Sequence, residues 1–170
     1  MTKVRLTKGK FAGISACADA HGVIAALAMD QRGSLQKMLA AAMPAGRAAS
    51  DEDLIRFKAA VTEVLSPHAS AILLDPEYGL PAAAARAPSA GLLLAYEKTG
   101  YDAAVPGRLP DLLDHVSAAR IAGWGADAVK VLMYYTPEED ASINDVKHAF
   151  IERVGAECEA LEIAFFLELL

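Results

Sequence analysis

Nearly unbroken apolar runs punctuate the chain five times: Gly22–Asp30 (GVIAALAMD), Ser70–Asp75 (SAILLD), Gly91–Glu97 (GLLLAYE), Ala126–Tyr135 (ADAVKVLMYY) and Ile163–Leu170 (IAFFLELL). Runs this short, apolar on both alternating faces, predict strands covered on both sides. Between them the rhythm becomes helical. Gly9–Ala20 predicts a short helix within a leading segment, residues 1–21. Arg32–Met43 predicts a second helix, closed by Pro44 and Gly46. Ser50 followed by Asp51, Glu52 and Asp53 reads as an N-cap with an acidic first turn. The helix it opens would turn Leu54, Phe57, Val61, Val64 and Leu65 inward and stop at Pro67. After the second run, Pro76, Gly79 and Pro81 predict a turn, and Ala82–Arg86 at most a short helix. Pro110 would begin a helix ending at Gly123. Ser142 would cap a longer one, with Ile143, Val146, Phe150, Val154, Cys158 and Leu161 inside.

Strand and helix thus alternate five times, which predicts an α/β fold of parallel strands covered by helical crossovers. The 170 residues suit a single domain. There is no Gly-x-Gly-x-x-Gly after the first run and no Gly-x-x-x-x-Gly-Lys-Ser/Thr, so dinucleotide and P-loop folds are disfavoured. An open doubly wound sheet and the first five strands of a (β/α)8 barrel both fit. Although 54% of residues are hydrophobic, no stretch reaches the roughly 20 apolar residues of a membrane helix. MTKVRLTKGKF has no apolar segment after its basic residues, so no secretory signal is expected. Cys17 and Cys158 read as free thiols, which suits the cytoplasm. The net charge of −6, with signs mixed, leaves no basic face for nucleic acid.

Candidate chemistry lies where charge interrupts these runs. Asp30, Asp75, Glu97, Lys130 and Glu168 each sit in or at the C-terminal end of an apolar run. In parallel α/β folds that end carries function. Lys130 shares a pleat face with Leu132 and Tyr134, while Val129, Val131 and Met133 share the other. A strand lysine usually lays its stem along the core and lifts its head to water. Glu168, alone in its apolar run, could equally be a solvated strand-end carboxylate. The two lone charges have opposite sign and could compensate each other, which favours a functional pair. Asp30 is either a helix cap or a functional acid within MDQRG, and Asp75 is evenly balanced between turn and function, whereas Glu77 reads as a turn residue. The Tyr96–Tyr101 loop could border a site. The four histidines lack metal spacing, and neither a Gly-x-Ser-x-Gly elbow nor an activated cysteine occurs.

Together GVIAALAMDQRGSLQKML, ILLDPEYGLPAA, GLLLAYEKTGYD, GRLPDLLDHVSAARIAGWGADAVKVLMYY and FIERVGAECEALEIAFFLELL resemble the tagatose 1,6-bisphosphate aldolase family, from about Gly22 to Leu170. The resemblance implies a (β/α)8 TIM barrel of which this chain supplies five strands. It implies a class I aldolase, using a lysine Schiff base and neither metal nor cofactor. The reaction would cleave tagatose 1,6-bisphosphate into dihydroxyacetone phosphate and glyceraldehyde 3-phosphate, or act on a related ketose such as a sulfonated fructose phosphate. By this resemblance Asp30, Lys130 and Glu168 are catalytic, and Gln31 lines the site, with Arg32 and Asp75 as further candidate substrate contacts. The Schiff-base lysine is expected on a sixth strand and the phosphate grips on later loops, beyond Leu170. Hence a truncated chain, inactive by itself, is expected. Family barrels usually associate, so a homo-oligomer is expected. The competing readings are a non-catalytic sugar-phosphate-binding module and a sugar-phosphate isomerase or epimerase using Lys130 and Glu168.

Overall fold

Each apolar run forms a strand, trimmed to the residues that a neighbour pairs. The computed structural model describes residues 4–44, 47–98 and 101–170. Gly46, and Thr99 and Gly100 of the Tyr96–Tyr101 loop, lie outside the described residues. The strands are β1 (Ala26–Met29), β2 (Ala71–Leu74), β3 (Gly91–Ala95), β4 (Ala128–Met133) and β5 (Ala164–Leu169). The helices are α1 (Lys8–Ala16), α2 (Gly33–Ala42), α3 (Asp51–Leu65), α4 (Leu80–Ala83), α5 (Ala118–Gly123) and α6 (Ala141–Ala160). These elements divide between two compact units, one formed by Ala16–Ala95 and the other by Met1–Ser15 with Tyr96–Leu170.

In the Ala16–Ala95 unit, β1, β2 and β3 pair in parallel, Ala26 opposite Ala71 and Ala71 opposite Gly91. Every residue of β2 and β3 is buried, as continuous apolar runs require. Ser50 caps α3 as its sequence predicts, in a reciprocal box. Its hydroxyl accepts the Asp53 backbone N–H, and Asp53 accepts the Ser50 backbone N–H at 3.0 Å. The expected inner face of α3 is corrected. Its buried line is Leu54, Lys58 and Thr62, while Phe57, Val64 and Leu65 are exposed. Leu54, Lys58 and Thr62 are spaced four apart on one helical stripe, and the stripe's lysine finds acceptors that hold it inside. The leading helix stops at Ala16 rather than Ala20. Asp19 there accepts the backbone N–H groups of His21 and Val23, a local turn that competes with helix.

In the other unit, β4 and β5 pair in parallel from Ala128 opposite Ala164 to Met133 opposite Leu169. The helix expected from Pro110 is also corrected, since α5 begins only at Ala118. Leu112 is drawn instead into an antiparallel bridge with Glu97, and His115 takes a left-handed φ of 59°. Ser117 then caps α5 by accepting the Arg120 N–H. The cap of α6 is Asp140, not Ser142, because the Asp140 carboxylate accepts the Ser142 N–H at 2.8 Å. Val154 and Cys158 face inward as expected. Val146 and Leu161 do not, and Asn144 and Lys147 are buried in their stead. Burial pushes the Cys158 thiol up to about 11. Among the described residues no helix is long and apolar enough to cross a membrane.

Candidate functional site

Lys130 is only 3% exposed, in the middle of β4. Its Nζ lies 3.0 Å from Glu97 Oε1 and 3.0 Å from Glu168 Oε2. The two carboxylates arrive by different routes. Glu168 comes from β5, two residues beyond the position paired with Lys130, and is 48% exposed. Glu97 is buried and is held from behind. The Tyr96 N–H donates to the Lys130 carbonyl, and the Leu113 N–H donates to the Tyr96 carbonyl. Tyr96 is fixed by its hydroxyl, which donates to Glu157 at 3.1 Å. Burial first, then the Glu157 charge, pushes that phenol up to about 12. One buried ammonium thus lies between an enclosed carboxylate and one open to solvent. The enclosed partner offsets the cost of burying the cation. The open one can exchange protons with a bound molecule. The opposite charges of Lys130 and Glu168 do meet, and Glu97, singled out only for its strand-end position, is a partner of equal closeness.

A second cluster lies wholly in the Ala16–Ala95 unit. Asp75, at the end of β2, has no exposed surface. It pairs with Lys58 of α3 and accepts the Tyr78 N–H at 2.7 Å, and its second oxygen lies 3.9 Å from Arg32 Nε. Arg32, 4% exposed, also meets Glu77 at 3.0 Å. The Lys58 ammonium donates to the carbonyls of Met29 at 2.6 Å and Gln31 at 2.8 Å. Asp30 stands between those two residues, half-buried, with Gln31 exposed beside it. Capping does not explain Asp30, since α2 takes Arg32 as its N-cap position and has no side-chain cap. Sequence reasoning missed Lys58 because a helical lysine ordinarily faces water. The available signal was its place between Leu54 and Thr62 at spacings of four.

Gln31, Arg32 and Asp75 are therefore brought together around Lys58, and Glu97 and Glu168 around Lys130. Asp30 belongs to the first unit and the Lys130 pair to the second. Among the described residues, no three His, Cys, Asp or Glu side chains are grouped as a metal cage.

Residues 24–170 match the DeoC/LacD family aldolases. A tagatose 1,6-diphosphate aldolase of Listeria monocytogenes (serotype 4a, strain HCC23) is 57% identical over 165 residues, covering 97% of this chain and 48% of the relative. Tagatose 1,6-diphosphate aldolase 2 of Enterococcus faecalis (strain ATCC 700802 / V583) is 55% identical over 164 residues, covering 96% of this chain and 49% of the relative. Among solved structures, a Schiff-base-forming fructose-1,6-bisphosphate aldolase matches with a TM-score of 0.55 at 14% identity, over 91% of this chain and 55% of that one. That likeness concerns fold: the parallel α/β arrangement is that of a class I aldolase TIM barrel. The chain spans about half the length of the curated relatives it matches.

Proposed function

Because the chain belongs to the DeoC/LacD aldolase family, we propose that Lys130, Glu97 and Glu168 form the proton-handling part of a class I aldolase site. The observation that carries this reading is the buried Lys130 ammonium, shared at 3.0 Å by an enclosed and an open carboxylate. The substrate is a ketose 1,6-bisphosphate, with tagatose 1,6-bisphosphate favoured by the names of the relatives.

The nucleophile is a second lysine, on the part of the barrel that this chain does not supply. Its neutral amine attacks the ketone carbon, and the carbinolamine loses water to give an iminium. Loss of that hydroxyl needs a proton. Glu168 delivers it, being solvent-accessible and hydrogen-bonded to a cation that can share its charge. The iminium then accepts the electron pair of the neighbouring carbon–carbon bond, leaving an enamine. Asp30 takes the proton from the hydroxyl on the bond that breaks, so that an aldehyde departs. A proton is then returned to the enamine carbon, which regenerates the iminium, and water added through Glu168 hydrolyses it to free dihydroxyacetone phosphate, with glyceraldehyde 3-phosphate as the other product. Lys130 supplies positive charge beside the nucleophile, which favours that lysine's neutral form, and attracts substrate oxygens. Gln31 and Arg32 orient substrate. Asp75, fully enclosed, acts through Arg32 and Lys58. A cytoplasmic, self-associating enzyme on a small sugar phosphate fits this reading.

The test is a chimera in which the remaining half of the Listeria relative follows Leu170. Borohydride with dihydroxyacetone phosphate is expected to trap an adduct on a lysine of the added half. Replacing Glu168 by Gln is expected to slow cleavage by roughly 10²–10⁴-fold. Unchanged turnover in E168Q would remove the proton-handling role. An adduct on Lys130 would make it the nucleophile, and ligand-induced stabilisation without any adduct would favour a binding module.

A further inference from the structure

Among the described residues a third buried lysine, outside both clusters, is Lys147 on α6. It is 1% exposed, and no ion pair or hydrogen bond joins its side chain to another described residue. Lys147 lines a cavity of about 180 Å³ at the C-terminal end of β4. Gly107, Arg108, Tyr134, Thr136 and Glu139 line it too. Arg108 brings a second cation. Its guanidinium stacks on the Tyr134 ring, 3.4 Å from the centroid, and its buried Nε has no hydrogen-bond partner. The loop that carries Arg108 is seated tightly on α6. Gly107 has a φ of 77°, and a Cβ there would collide with Ile143, one turn before Lys147 on the same helix face. Glu139 brings a carboxylate to the wall, which Leu170, the last residue of the chain, also lines, and Glu139 forms no ion pair with Lys147 or Arg108 among the described residues.

Two cations facing one small, open-mouthed cavity, Lys147 without a described partner and Arg108 with its Nε unpaired and its Nη2 donating to the Tyr101 carbonyl at 3.5 Å, suit an anion. The volume lies below the range that encloses a whole drug-sized ligand, so it suits one oxyanion group. We propose that Lys147 and Arg108 bind a phosphate group, and that this group is one of the two on the sugar bisphosphate. The second clause rests on the aldolase reading. The first does not. Arg108 offers a planar fork to two phosphate oxygens and Lys147 a point charge to the third.

Titration of the purified 170-residue chain with inorganic phosphate, followed by phosphorus-31 NMR, tests the site. Saturable binding is expected, weakened at least tenfold in K147M and in R108M, retained in K147R, and unchanged in K37M, which alters an exposed lysine of α2. Circular dichroism establishes that each variant is folded, and R108M, altered on a loop, serves if K147M is not. No saturable binding, or equal binding by parent, K147M and R108M, would overturn the proposal. Loss on gel filtration into phosphate-free buffer, with no dependence on either cation, would mark an adventitious ion only and also overturn it. In the chimera, K147M is expected to raise KM at least tenfold while kcat changes less. Phosphate binding with an unchanged KM would keep the site but detach it from the substrate, leaving the aldolase reading intact.

Discussion

Lys58 has no exposed surface, and its ammonium carries three N–H donors. The structure supplies three acceptors: the Met29 and Gln31 carbonyls and the Asp75 carboxylate. One side chain therefore ties the backbone on both sides of Asp30 to the end of β2. Buried ion pairs are seldom large net stabilisers, but removing one partner strands the other. Lys58→Met leaves Asp75 charged and enclosed, with Tyr78 N–H and the more distant Arg32 as its remaining neighbours. The variant is expected to lose about 3–5 kcal/mol of stability, read as a lower urea midpoint. A midpoint equal to that of the parent chain would mean that Lys58 does not close this network. Lys130 poses the same problem with a different solution, since one of its two carboxylates remains open to solvent. That difference separates a structural clasp from a group able to pass protons.

Among the elements, α3 shows what its sequence declares and what it hides. The capping box is local, written in Ser50 and Asp53 three residues apart, and it forms. The backbone and hydroxyl hydrogen bonds from Ser50, with the charge of Arg47 behind them, hold the Asp53 carboxyl below its ordinary value of 3.8. A depressed carboxylate stabilises the fold above its unfolded value, and that contribution is lost as pH falls through the folded one. The first turn of α3 is therefore expected to lose amide-exchange protection below about pH 4, and Asp53→Asn to remove that pH dependence. Persistence of the acid-induced loss in D53N would place its cause elsewhere. The buried face of α3 is not local. Phe57, Val61, Val64 and Leu65 outnumber Leu54 as apolar residues, yet the line that packs runs through Lys58 and Thr62, because the Met29 and Gln31 carbonyls and the Asp75 carboxylate receive the Lys58 ammonium. Lys147 on α6 was hidden too, since nothing in its local sequence marks it as buried. Strand charges were legible, since Lys130 and Glu168 stand alone in apolar runs; helical lysines were not, because solvation is their ordinary fate. The helix expected from Pro110 failed because a tertiary bridge from Leu112 to Glu97 overrode a favourable local start.

For the molecule as a whole, the consequence lies in what the strands leave unpaired. Among the described residues, β5 pairs with β4 alone and β1 with β2 alone. On β5, Leu167 and Leu169 share the pleat face of Val131 and Met133, and Leu169 is 52% exposed. They border a groove of about 340 Å³ with Met133, Tyr135, His148 and Ile151. An exposed strand edge beside an apolar groove favours chain–chain pairing and hydrophobic association. The 170-residue chain is therefore expected to exceed its 17.9 kDa monomer mass in light scattering and to bind a fluorescent apolar dye. Lys130 and Glu168 lie on the opposite pleat face, so Leu167→Lys with Leu169→Lys changes the groove without touching the ion pair. That double variant is expected to move the mass toward the monomer and reduce dye binding. A parent chain that is monomeric and binds no dye would show that this face is not sticky. An associated chain unmoved by the two lysines would place the contact on another surface.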